Sequence, residues 1–157
     1  MNADTPFNDR LRRLGLSLPA VPEPVAVYVS AVSVDGYVYT SGQLPTVDGR
    51  LLATGKVGAE VTEDTGVECA RRAALNAVAA VLELVSDPMS VRVARVGVFV
   101  ASSPTFTRQA QVANGASQLL GALFGDAGVH ARSAVGVAVL PLDSPVEVEL
   151  TVVVHRS

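Results

Sequence analysis

The stretch Ala131-Arg-Ser-Ala-Val-Gly-Val-Ala-Val-Leu-Pro141, followed at once by Ser144-Pro-Val-Glu-Val-Glu-Leu150, reads as a strand, a reversal and a second strand. An arginine opens the first strand and a Leu-Pro pair turns the chain. The return strand alternates strictly: Val146, Val148 and Leu150 take one face, and Glu147, Glu149 and Thr151 take the other. Two carboxylates on one face of so apolar a strand suggest an acid/base or a counter-charge. Arg132 supplies a planar fork suited to gripping a carboxylate with two hydrogen bonds. A solvated acidic face with a surface arginine, or a structural Arg–Glu pair, fits the same pattern. In a hairpin with its tip near Leu142-Asp143, Arg132 and Glu147 stand roughly 16 Å apart along the sheet. One ligand cannot span that gap within the hairpin, so the expected site lies between subunits.

Working toward the N-terminus, Thr107 to Phe124 has helical periodicity and ends at Gly125. Asn114-Gly115 inside it is unusual, because glycine costs a helix about 1 kcal/mol against alanine. Close approach of a partner element would justify the glycine, and Asn114 becomes a candidate site-lining amide. Ser103-Pro104 breaks the chain before this helix. Val91 to Ala101 is a strand with a nearly continuous apolar centre, the pattern of burial on both sides. Thr62 to Val85 is the clearest helix. Thr62 and Thr65 offer caps, Glu63 and Asp64 suit the dipole, and Ala70, Ala74, Ala77, Val78, Val81 and Val85 form a small-residue stripe for packing on a sheet.

The N-terminal third holds a hairpin. Val25 to Val34 and Tyr37 to Ser41 flank Asp35-Gly36, a strong two-residue turn signal. The valines change face between Val29 and Val32, which predicts a bulge or bend near Ser30-Ala31. Continued pairing sets Ser30 opposite Ser41 and Tyr28 opposite Gln43, leaving Tyr28 and Ser41 as diagonal neighbours roughly 7–8 Å apart. A phenol, a hydroxyl and the Gly42 main chain would converge there. An ordinary strand end with a glycine bend is the alternative. Asp48-Gly49 marks a second turn, and Gly55 and Gly58 flank a loop. Phe7 to Leu16 reads as a short helix with Arg10, Arg12 and Arg13 on a basic face. Leu18 to Pro24 is a proline-spaced extension.

These elements make an α+β domain spanning 1–157. A mixed sheet carries two long helices on one face, and residues 1–24 add a short N-terminal helix and extension. The 157 residues allow a substantial core. Apolar residues form 49% of the chain and mean hydropathy is +0.38, yet no run approaches the roughly 18 residues of a membrane span. Surplus apolar surface then points to a subunit interface. The start, Met1-Asn-Ala-Asp-Thr, lacks the pattern of a secretory signal. The single cysteine, Cys69, excludes an internal disulfide and a cysteine-built zinc cluster, and reads as a packed core residue. His130 and His155 are isolated, so no metal site is expected. A net charge of −3 and a pI near 5.3 argue against a nucleic-acid partner. A cytoplasmic, oligomeric protein with no membrane partner is expected.

Tyr28, then Thr40-Ser41-Gly42-Gln43-Leu44-Pro45, Asn114, Ala131-Arg132-Ser133, Leu140-Pro141 and Val146-Glu147-Val148-Glu149 together resemble the RidA/YjgF family of enamine/imine deaminases. The resemblance runs from about Val25 to the end. It implies a chorismate-mutase-like α+β fold, homotrimers, and sites in the clefts between subunits. It also implies hydrolytic deamination of 2-imino or enamine acids to 2-keto acids and ammonia, with no cofactor. Carried over by position, Arg132 is similar to the family's carboxylate-binding arginine and Glu147 to the glutamate that handles the attacking water. Ser41 and Gly42 resemble the groups near the imine, and Tyr28 the aromatic wall. Ala134 departs from the cysteine common two places after the arginine. With the N-terminal helix and the longer connection through Pro22 and Pro24, it suggests a divergent branch. A non-catalytic binder of small carboxylates or keto acids is a second reading, and a ribonuclease or translation inhibitor a third. The acidic pI weighs against the third.

Overall fold

Burial along the last strand alternates residue by residue from Val146 to Val152, and this alternation orients the whole sheet. The computed structural model describes residues 5–21 and 27–155. Its elements are α1 (Pro6–Arg13), β1 (Ala31–Val34), β2 (Tyr37–Thr40), β3 (Thr46–Val47), β4 (Arg50–Leu51), α2 (Glu63–Leu84), β5 (Val91–Ala101), α3 (Gln109–Phe124), β6 (Ala131–Val137) and β7 (Val146–Val154). The main sheet runs β1-β2-β7-β5-β6, and β3 and β4 form a separate small hairpin. All pairs in the main sheet are antiparallel except β5 with β6. The arrangement is the mixed α+β sheet with its two long helices on one face.

That order corrects the sequence reading at one decisive point. β6 and β7 do run in opposite directions, but they are not a hairpin: β5 lies between them. Helix α3 carries the chain from the end of β5 back to the start of β6, which makes their pairing parallel. The reversal at Pro141–Asp143 is a single 3₁₀ turn with Leu142 and Asp143 at positive φ. It delivers β7 to the far side of β5.

Each long helix buries its small-residue stripe. Thr62 caps α2 by accepting from the Thr65 amide at 3.2 Å, and Ala70, Ala73, Ala74 and Ala77 are fully buried. α2 and α3 touch where a Cβ at Gly115 would meet the Val67 carbonyl oxygen at 2.0 Å. The glycine inside α3 is there for close approach of α2. The short helix α1 is capped by Thr5 and carries Pro6 in its first turn, where a missing N–H costs nothing. It buries Phe7 against Phe124, and Arg10 donates to the Leu123 carbonyl at 2.9 Å, closing the C-terminal end of α3.

The other face of the sheet has no helix among the described residues. Val32, Val34, Tyr37, Tyr39 and Val135 each remain between 42% and 50% exposed there. The expectation of burial on both sides of β5 therefore fails within one chain: Arg92 and Arg95 are exposed and Phe99 only half-buried. The first strand is also shorter than expected. β1 starts at Ala31, Val27–Ser30 is bent, and Val25 lies outside the described residues, as do Pro22 and Pro24. Asp35 and Gly36 both adopt positive φ, as the tight turn requires. No helix among the described residues is long and apolar enough to cross a membrane.

Candidate functional site

Arg132 lies on the edge strand β6, level with Val96 of β5, and so faces the helices. Residues 110, 114 and 117 of α3 share one helical stripe above it. The Arg132 guanidinium donates to Asn114 Oδ1 at 2.9 Å, to Ser117 Oγ at 3.1 Å and to the Ala110 carbonyl at 3.3 Å. All three acceptors are neutral. No carboxylate among the described residues lies within ion-pair distance of it; the ion pairs present are Arg12–Asp9 and Arg108–Glu63. A guanidinium has five N–H donors. Three are used here, and the remaining two match the needs of a bidentate carboxylate.

Glu147 is half-buried on the opposite face of the sheet, level with Phe99. Its side chain lies directly over Gly42: a Cβ built there would stand 1.7 Å from Glu147 Oε1. Only glycine at position 42 lets the carboxyl occupy that place. Burial, and then the neighbouring Glu149, push the Glu147 carboxyl above its ordinary value. Glu149 in turn occupies the space left by Gly97. Ser41 continues the β1–β2 pairing, its amide donating to Ser30 O at 2.8 Å, and its hydroxyl donates to Val29 O at 2.6 Å. The segment then leaves β1. Gln43 bridges to Val148 of β7 instead of facing Tyr28, which corrects the expected Tyr28–Gln43 pairing. Asn76 of α2 donates to Leu44 O at 2.8 Å and Arg72 to Thr46 O at 2.7 Å, so α2 fixes the whole stretch. Tyr28, 63% exposed, shares with Ser41 a recess of about 280 Å³ also walled by Tyr39 and Val32.

The sequence-predicted residues fall into two clusters. Ser41, Gly42 and Glu147 gather on the open face with Tyr28 beside them. Arg132 and Asn114 gather between the edge strand and α3. With β5 intervening and the register offset by three residues, Arg132 and Glu147 stand about 14 Å apart in the sheet, on opposite faces. This separation replaces the roughly 16 Å expected of a hairpin, and no small ligand spans it on one chain. Sequence reasoning missed Ser117 and His130. His130 is not isolated: its Nε2 lies 2.9 Å from Ser117 Oγ and its Nδ1 2.5 Å from Gly128 O. The available signal was the spacing of Asn114 and Ser117 on one helix face. Arg72 and Asn76 were also missed, since polar side chains inside a small-residue helix give no hint of their target.

Residues 8–153 match the family model described as "YjgF/chorismate_mutase-like, putative endoribonuclease". Protein TCP17 of Trypanosoma cruzi is 46% identical over 144 residues, covering 90% of each chain. Among solved structures, Atu1372 of Agrobacterium tumefaciens, of unknown function, is 38% identical with a TM-score of 0.89, over 96% of this chain and 94% of its own. E. coli TdcF, solved with bound serine, is 26% identical with a TM-score of 0.63, over 87% of this chain and 94% of its own. The chain is thus similar along nearly its whole length to the first two, and more distantly to the third.

Proposed function

The chain belongs to the YjgF/chorismate-mutase-like family, and from that premise we propose that it hydrolyses 2-imino acids to 2-keto acids and ammonia, in a cleft assembled from two copies of the chain. The observation that carries the reading is Glu147: a half-buried carboxyl with a raised affinity for protons and no ion-pair partner among the described residues, set against the bare main chain of Gly42. A carboxyl so tuned holds a proton more readily than an ordinary one, which suits it to take a proton from water and return it. The bound serine of TdcF supports a small amino-acid-like carboxylate as the ligand class.

Arg132 of one copy grips the substrate carboxylate with its two unused donors. Asn114 lines the same pocket and holds the guanidinium plane. Across the cleft, Glu147 of a neighbouring copy accepts a proton from water as the oxygen attacks the imine carbon. Returning that proton to nitrogen gives the neutral tetrahedral carbinolamine, and transfer of its hydroxyl proton to nitrogen through the same carboxyl lets ammonia leave as the carbonyl forms. The Ser41 hydroxyl already donates to Val29 O, so its oxygen is turned to accept from the imine N–H. Tyr28 walls the recess. Fixing the carboxylate and the water in one geometry supplies most of the acceleration, because imines are intrinsically prone to hydrolysis. The valines and tyrosines of the open face are 42–50% exposed, and a homotrimer of this chain would cover them.

An amino-acid oxidase generating a 2-imino acid in the presence of semicarbazide tests the proposal. Added protein should suppress the semicarbazone signal, and Arg132→Ala or Glu147→Gln should not. A wild-type protein that leaves the signal unchanged across several amino acids contradicts the reading and favours a non-catalytic carboxylate binder.

A further inference from the structure

We infer that Ser117 and His130 are positioning residues: they brace the Arg132 guanidinium through a neutral, directional hydrogen-bond chain, and so give the cleft its preference for a carboxylate over an uncharged group. The inference rests on the reading of Arg132 as the carboxylate grip. The direction of the chain follows from which atoms can donate. Gly128 O only accepts, so His130 Nδ1 at 2.5 Å carries the hydrogen. Arg132 only donates, so Ser117 Oγ at 3.1 Å accepts from it. In the neutral tautomer with Nδ1–H, His130 Nε2 is the acceptor, and the Ser117 hydroxyl hydrogen points to it at 2.9 Å. The far end is closely packed. A Cβ at Gly128 would meet the Leu120 carbonyl oxygen at 2.3 Å, so that backbone is pressed against α3.

Neutrality is the consequence that matters. A carboxylate at position 114 or 117 would hold the guanidinium as firmly, but would also neutralise it. Amide, hydroxyl and carbonyl acceptors fix the plane and leave the full charge for a ligand. Ser117 and His130 touch no substrate in this arrangement. They act through Arg132, by sparing the ligand the cost of ordering a long side chain.

The test titrates the wild-type protein, Ser117→Ala, Ser117→Thr, His130→Ala and Arg132→Ala with pyruvate and with pyruvamide, the same skeleton without the charge. Ser117→Ala should weaken pyruvate about five- to tenfold, because two of three braces remain, and leave pyruvamide within about twofold. Ser117→Thr keeps the hydroxyl and restores the preference; His130→Ala loses a smaller part of it. Nitrogen-15 spectra of the Arg132 guanidinium provide a readout that needs no ligand. Rotation hindered in the wild type should be faster in Ser117→Ala, where two of the three acceptors remain. Unchanged discrimination together with unchanged guanidinium rotation in Ser117→Ala overturns the brace. If Arg132→Ala itself binds pyruvate as well as the wild type, the carboxylate-grip reading fails, while the spectra still decide whether the brace exists.

Discussion

The same substitution at two glycines of α3 should change stability in opposite directions. At Gly115 a Cβ meets Val67 O at 2.0 Å, Val67 C at 2.9 Å and Arg71 N at 3.2 Å, all backbone atoms of α2. Rotamer changes cannot relieve a clash with backbone. An ordinary contact begins near 3.4 Å, so Gly115→Ala must drive the two helices apart by more than an ångström. Overpacking of this kind costs about 1–3 kcal/mol, and here the upper end applies. Alanine returns about 1 kcal/mol of helix propensity. The net expectation is a loss of about 2 kcal/mol, a fall in Tm of roughly 4–8 °C for a domain of this size. At Gly121 a Cβ meets nothing within 4 Å. There the propensity term acts alone, and Gly121→Ala should gain about 0.5–1 kcal/mol. Urea unfolding of both variants at one protein concentration measures the pair. A Gly115→Ala protein as stable as wild type would refute the close-approach explanation of the glycine.

Two further outcomes concern the site. Gly42→Ala should fold normally, since the atoms its Cβ displaces are the flexible end of Glu147; a carboxyl displaced by over an ångström should cost about 100-fold or more in imine hydrolysis, measured in the semicarbazide assay with Tm as the folding control. Glu147→Gln should show a pH-dependent stability gain. The folded Glu147 carboxyl sits above its ordinary value of 4.5, so between that value and the raised one the folded chain binds more protons than the unfolded chain, and stability falls as pH rises. The variant should therefore melt above wild type at pH 8 and level with it at pH 4; an equal difference at both pH values would contradict the burial of the charge.

Much of the fold was legible because local signals and global packing agree. Thr62 and the alanine stripe gave α2 nearly to the residue, Asp35-Gly36 gave the hairpin turn, and β5 runs from Val91 to Ala101 as its valines imply. The β6–β7 hairpin was illegible for a physical reason. Leu140-Pro141 signals a change of direction but not which neighbour the returning strand takes, and the non-local β5–β6 pairing claims the place beside β6. The bend at Val27–Ser30 was visible as a change of face, but its extent was not, because Ser41 Oγ and Gln43 redirect the pairing. Glu147 and Gly42 were legible as residues of interest but not as contacts. Gln43 sits one step out of the β2 register, and only the bridge to Val148 brings Gly42 under the carboxyl. Ser117 and His130 stayed hidden, since a serine in a helix and a histidine in a loop acquire meaning only from the hydrogen-bond chain that ends on Arg132.

The central claim is that the cleft takes Arg132 from one copy and Glu147 from another. Arg132→Ala and Glu147→Gln chains, each inactive alone, test it when co-expressed in equal amounts and purified as mixed oligomers. Random mixing in a closed ring gives sites with both native residues about a quarter of the time, so about a quarter of wild-type imine hydrolysis should return. Mixed oligomers that stay as inactive as their parents, with exchange of chains verified by mass spectrometry, would contradict a shared cleft and place each half-site's chemistry within its own chain.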